Sequence, residues 1–398
     1  MKRFFLILLG LTFLSSFSQA FAKDWFEIVK AAKGQTVYFN AWGGSQPINE
    51  YIAWAAEVVQ KKYKVRVVHV KATDIGDVVS RIFIEKAAKK YKSGSVDLMW
   101  INGENFKAMK ENKLLYGPFS QKLPNYHLVD TENKKTVLYD FTIPVDNMES
   151  PWGMAQLVFL YDKQMVPKHP KSMLDLLAFA RNNPGRVSYP AIPSFHGTTF
   201  IKQALLELIH DPEVLNHPVI QSDFEKNTRP LWDYLDALHL FLWRKAKVFP
   251  VSASQMLSLL NDNEIFISLS FNPGSASNAI ENGELPNTVR TYIHTKGTIA
   301  NSHFVGIPFN SSARQGAMVF ANFLLSPEAQ ARKADPKIWG DPTILDTRKL
   351  AGKDKALFDA VPKGIATLTP KDLGQVLPEP HVSWVQALEK EWLKRYSK

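Results

Sequence analysis

Thr36-Val37-Tyr38-Phe39-Asn40-Ala41-Trp42-Gly43-Gly44-Ser45-Gln46 is the stretch on which the fold turns. Thr36 to Asn40 is a short β-rich run, and Trp42-Gly43-Gly44-Ser45 ends it. Ile48, Ile52, Ala55 and Val59 then recur at helical spacing, which predicts an amphipathic helix. Val65 to Val70 reads as the next strand, Asp77 to Tyr91 as a helix and Val96 to Ile101 as a third strand. Strand, helix, strand, helix, strand predicts a parallel, doubly wound sheet with right-handed crossovers.

Ligands of such sheets collect at the carboxyl ends of the strands. Two loops fall there, Ala41 to Gln46 and Asn102 to Asn105, each combining glycine with amide or hydroxyl groups beside a tryptophan. The first-lobe candidates are therefore Trp42, Gly43, Ser45, Trp100, Asn102, Glu104 and Asn105. The tryptophans offer a face for a ring or a cation, the competing reading being that they fill the core. Glu104 suits a cationic or amine-bearing ligand; a surface acid is the bland alternative.

A second unit is expected after the proline-containing stretch Pro144 to Gly153, with Ala155 to Tyr161 a long strand-like run able to cross between lobes. Ser172 to Arg181 reads as a helix capped by Ser172, and Val187-Ser188-Tyr189 as a strand. Pro193 to Thr199 runs into a helix carrying Phe200, Ile201, Ala204, Leu205 and Leu208, whose N-terminus is a natural seat for an anionic group. Ile265 to Phe271 is a further strand that delivers Asn272 to Asn278 into a loop. Trp152, Tyr189, Ser194, Thr198, Thr199, Asn272 and Ser275 are this half's candidates. Asn301 to Pro308 then reads as a crossing strand returning to the first lobe, and Ser326-Pro327-Glu328 as a helix start. A terminal helix from Ser383 places Val385, Leu388 and Trp392 on one face, without assigning itself to a lobe.

Lys2 and Arg3, an apolar run from Phe4 to Phe17 and Ala20-Phe21-Ala22 form an export leader too short to span a bilayer, so the exported chain is expected to begin at Lys23. With no cysteine there is neither a disulfide nor a lipidated N-terminus, and a soluble periplasmic protein is expected. The net charge of +10 gathers at Lys61 to Arg66 and Lys86 to Lys92, which read as solvated helix ends. No basic stripe interleaved with aromatics points to nucleic acid.

The leader, Phe39 to Gly44, Asp97 to Phe106, Asn301 to Pro308 and Ala321 to Gln330 resemble extracellular solute-binding proteins of ABC importers, and with Trp339-Gly340-Asp341-Pro342-Thr343 the YnjB-type family in particular. The resemblance implies an α/β, type II periplasmic binding protein fold: two doubly wound lobes around a central ligand cleft. The leader is residues 1–22, the first lobe 23–154 and 300–330, and the second 155–299 and 331–398. It also implies delivery of a small solute to an inner-membrane ABC permease. The solute is expected to be thiamine-like or otherwise amine-bearing, and the carrier a monomer without cofactor, since it must present both lobes to its membrane partner. Hinge closure is expected near Pro151–Ala155 and Asn301–Gly306.

Two alternatives compete. A secreted hydrolase lacks Gly-x-Ser-x-Gly and His-Glu-x-x-His here, and His196 reads as a loop hydrogen-bonder ahead of a general base. A metal carrier on the same fold would want paired tyrosines or clustered histidines, and neither pattern occurs.

Overall fold

The computed structural model describes residues 24–369 and 371–397, so the leader and its cleavage site lie outside the described residues. Residues 24–32 form α1. β1 (Thr36–Trp42), α2 (Gln46–Tyr63), β2 (Arg66–Ala72), α3 (Ile75–Ala87), β3 (Leu98–Ile101) and α4 (Gly103–Glu111) then follow in the expected alternation. β1 lies between β2 and β3 and is parallel to both, with Thr36 opposite Arg66 and Phe39 opposite Leu98. Alternation along β3 feeds both faces of the sheet. Leu98 joins Ile48, Ile52 and Val59 of α2, whereas Met99 and Ile101 join Val78, Val79 and Ile82 of α3. The two helices thus cover opposite faces, as a doubly wound sheet requires.

A small hairpin, β4 (Tyr139–Asp140) and β5 (Ile143–Pro144), precedes β6 (Glu149–Gln156). The crossing is made by β6 rather than by an unbroken run from Ala155 to Tyr161: the strand breaks at Leu157 and resumes as β7 (Val158–Asp162). The second half of the proline-containing stretch Pro144 to Gly153 is therefore strand. The register explains how Pro151 is tolerated. His303 faces Gly153 and Phe304 faces Pro151, so Trp152 is skipped in a bulge beside the proline, the kind of irregularity at which a sheet tolerates proline.

The second lobe holds α5 (Met173–Asn182), α6 (Phe195–Leu208), α7 (Phe224–His239), α8 (Ala253–Asn261), β8 (Ile267–Ser270), α9 (Ser275–Glu281) and β9 (Val289–Tyr292). Ser172 caps α5 by accepting from Asp175 N at 3.1 Å. β7 pairs antiparallel with both β8 and β9, which differs from the all-parallel sheet expected of each lobe. Val187 to Tyr189 supplies one bridge to Ile267 and no strand; Pro190 has no N–H with which to extend it.

β10 (Thr298–Gly306) is the returning strand and pairs with β6 along its length and with β3 at its end. α10 (Arg314–Leu324) follows, its start held by the buried Asp97, whose Oδ1 accepts from Ser312 N and Ala313 N. α11 (Pro327–Ala334) is capped by Ser326. After α12 (Gly352–Asp359), β11 (Val376–Leu377) pairs parallel with the start of β10, and α13 (Ser383–Tyr396) ends the chain. The division after residue 330 needs correction. Trp339, Ile344, Leu345 and Leu350 pack in the first lobe's core, while Trp384, Leu388 and Trp392 pack in the second's. Burying each such side chain contributes roughly 1.5–3 kcal/mol, so the apolar positions decide the lobe.

Candidate functional site

The carboxyl ends of β1, β2 and β3 place three loops and three helix starts on one edge of the first lobe. Trp42 closes β1, is 42% exposed, and with Gly43, Gly44, Lys71 and Thr73 lines a pocket of about 190 Å3. A side chain at Gly44 would run into the Trp42 indole. Ser45 and Asn102 occupy N-cap positions with extended backbone, yet neither side chain caps its helix, which leaves both groups available. Asp74 does cap α3, accepting from Gly76 N at 2.8 Å. Glu104 lies in the first turn of α4, and burial pushes its carboxyl above the usual range. Asn105 follows it, half-buried.

Two buried residues of the β4–β5 hairpin, Asp140 and Phe141, fix this loop. Gly103 has φ +55° and donates to Asp140 Oδ1 at 2.8 Å; the Phe141 ring occupies the space a side chain there would need. The same ring reaches the second lobe. Lys202 Nζ, on α6, lies 4.9 Å from the Phe141 centroid, 5.8 Å from that of Phe195, and 2.6 Å from Glu379 Oε2. Glu379 also accepts from Asn301 of β10 at 3.1 Å, so the crossing strand, both lobes and a buried ion pair meet here.

At the start of α6 the expected hydroxyls are already committed. Ser194 accepts from Gly197 N at 3.3 Å and donates to Ala191 O, Thr199 donates to Phe195 O at 2.7 Å, and Thr198 donates to Glu389 Oε1 at 2.6 Å. The protein's own carboxylate, Glu389 of α13, thus takes the place beside the first turns of α6 where an anionic ligand group was expected. Burial raises the Glu389 carboxyl, the Thr198 bond opposes that, and the charge of Glu104 adds to it.

Other candidates lie elsewhere. Tyr189 is fully buried: it stacks on Phe200 at 4.5 Å, and its hydroxyl sits between His239 Nε2 (2.7 Å) and Trp392 Nε1 (2.8 Å). It is a core residue of the second lobe. Trp152, thrown inward by its bulge, is also fully buried and packs edge-on to Trp100 at 4.9 Å and against Trp339 at 5.4 Å. Trp100 itself is half-buried against His303. Asn272 spends both ends of its amide, donating to Trp339 O at 3.2 Å and accepting from Gly274 N at 2.9 Å. Ser275, in the same turn, keeps a buried hydroxyl without a protein partner. This turn packs on Trp339-Gly340, beside the buried Lys333–Asp341–His303 network, rather than on the α6 wall. Burial lowers His196 to about 4, leaving its imidazole neutral.

Asp74, Phe141, Lys202, Glu379 and Glu389 escaped the sequence reading. Asp74 stands at the end of β2 and follows from the strand-end rule already applied to its neighbours. The other four have no local signal, for their partners lie far away in sequence. A larger depression of about 470 Å3, lined by Gln121, Tyr126, Tyr139 and Asp146 among others, contains none of the candidates. Among the described residues no group of three or more His, Cys, Asp or Glu side chains is arranged to hold a metal.

Residues 53–357 match the family model for bacterial extracellular solute-binding proteins. The chain belongs to this family. The solute-binding protein is 46% identical over 390 residues to protein YnjB of Escherichia coli K12, covering 98% of each chain. Its fold resembles the spermidine/putrescine ABC transporter substrate-binding protein PotD of Streptococcus pneumoniae (TM-score 0.60, 17% identity, 90% of this chain and 99% of that one). It equally resembles the periplasmic binding protein AfuA of Actinobacillus pleuropneumoniae, solved with fructose-6-phosphate (TM-score 0.61, 14% identity, 91% and 98%). The solute-binding protein is thus the substrate-binding component of an ABC transporter, built as a two-lobed α/β fold. Because this fold serves both a polyamine transporter and a sugar-phosphate binder, the ligand has to be argued from the site's own side chains. Among the described residues no helix is long and apolar enough to cross a membrane.

Proposed function

We propose that this solute-binding protein captures a small amine-bearing cation between its lobes and hands it to an inner-membrane ABC permease. One observation carries the reading. Glu104 and Glu389 stand on opposite lobes, both are half-buried, and Glu389 feels the charge of Glu104. Neither forms an ion pair among the described residues, and the nearby Lys202 is taken by Glu379. Like charges close enough for one to raise the other repel, and a cation bound near them relieves both burial and repulsion. Asp74 adds negative charge to the same edge, since both carboxyls respond to it. Exposed Trp42 and Phe195 offer faces on which a cationic ring, as in a thiamine-like compound, can rest. Ser45, Asn102 and Asn105 supply the remaining polar contacts.

The carrier acts by binding, as a soluble periplasmic monomer without a lipid anchor, its lobes closing by bending of β6 and β10. Thermal-shift screening of amines, vitamins, sugars and anions tests the ligand class, since a ligand that binds the native state alone stabilises it. Cationic amines should raise the melting temperature of the wild type, and Glu104→Gln with Glu389→Gln should abolish that rise. Stabilisation by anions or neutral sugars alone would overturn the reading.

A further inference from the structure

The end of the first lobe opposite the cleft carries a chemistry that solute capture does not use. α2 and α3 begin at the cleft edge and end at the far edge, on opposite faces of the sheet. The far ends of both helices are basic. α2 closes with Lys61 and Lys62 and is followed by Lys64 and Arg66; α3 is followed by Lys89, Lys90 and Lys92. The end of α1 joins them, for Gly34 N donates to Lys64 O at 2.9 Å and brings exposed Lys33 alongside.

Carboxylates do not neutralise this pole. Glu57 and Glu328 reach Lys61 and Lys62, and Glu85 takes Lys90. Among the described residues no acid is paired with Lys33, Lys64, Arg66, Lys89 or Lys92, all of them exposed. Apolar side chains stand among these charges: Ile84 is 69% exposed and Tyr91 57%. Lysine-rich charge with interspersed exposed aliphatic and aromatic groups suits a diffuse anionic plane better than a folded acidic partner or a nucleic-acid strand.

We propose that this pole docks on an anionic lipid membrane. The assignment goes beyond solute capture, yet fits it. With the pole down, the cleft at the other end of the same helices stays open to solution for capture, and hand-off to the permease follows release from the lipid. Each exposed lysine near a negatively charged leaflet adds attraction that falls off within a Debye length, so retention is reversible and salt-sensitive.

Vesicle flotation tests this with the protein recovered after export, using phosphatidylcholine vesicles with and without phosphatidylglycerol. The wild type should partition about tenfold more strongly into the anionic vesicles, and added salt should remove the difference. Lys64→Glu, Arg66→Glu, Lys89→Glu and Lys92→Glu together should abolish it. Lys163→Glu, Lys226→Glu, Lys245→Glu and Lys247→Glu, an equal charge change on the exposed second lobe, should leave it intact. The pair Lys64→Gln with Lys92→Gln, chosen for minimal effect on folding, should give an intermediate loss. Equal partitioning of the wild type into both vesicles, unchanged binding by the pole variants, or an equal loss in the second-lobe variant would each overturn the proposal.

Discussion

Lys202 Nζ lies 2.6 Å from Glu379 Oε2, and both side chains are essentially removed from solvent. The pair joins α6 to the segment before α13 and is roofed by Phe141 from the first lobe. Taking two charges out of water is costly, and the pair is tolerated because Asn301 and the Phe141 ring complete its surroundings.

Lys202→Met should therefore strand the Glu379 charge and destabilise the protein by about 3–5 kcal/mol. Lys202→Met combined with Glu379→Leu should recover most of that loss. Urea unfolding midpoints of the three proteins would show it, and a double variant no more stable than the single one would refute it.

Tyr189 provides the opposite case, a residue expected at the ligand and found in the core. Tyr189→Phe leaves His239 and Trp392 without their shared partner and should cost about 1–2 kcal/mol. Its effect on ligand affinity should be nil. A loss of affinity in calorimetry without loss of stability would return Tyr189 to the site.

Gly274 sits where an added Cβ would lie 2.0 Å from Gly340 O. Gly274→Ala should therefore push apart the two turns that Asn272 bridges and cost about 1–3 kcal/mol. An unchanged melting temperature would show that the contact yields freely.

Acid should weaken binding. Burial lifts the Glu104 and Glu389 carboxyls above their unfolded values, so the unliganded fold is favoured while they are protonated. That contribution is lost as pH rises from the unfolded value through the folded one. A cationic ligand needs both groups ionised, so its affinity should move the other way, rising as pH climbs from the usual carboxylate range through the raised folded-state values. Calorimetry across that window should show the rise in the wild type and a flatter profile in Glu104→Gln. A profile that falls with pH would point to an anionic ligand.

The first lobe was legible because its signals are local. The 36–101 segment alternates strand and helix by periodicity alone, and glycine-bearing loops mark the strand ends. Legibility failed where long-range contact decides. Trp152 looked like a rim aromatic, yet a bulge opposite His303 and Phe304 turns it inward. Thr198 looked like a free donor, yet Glu389, 191 residues away, accepts its hydrogen bond. The segment from Trp339 to Leu350 carries no periodicity that names its lobe, and packing alone assigns it.

Native mass spectrometry of the protein recovered after export bears most directly on the central claim. A small molecule should co-purify, carry a basic nitrogen, and be absent from Glu104→Gln combined with Glu389→Gln. A bound species that is anionic or uncharged, or one retained by that double variant, would contradict the account.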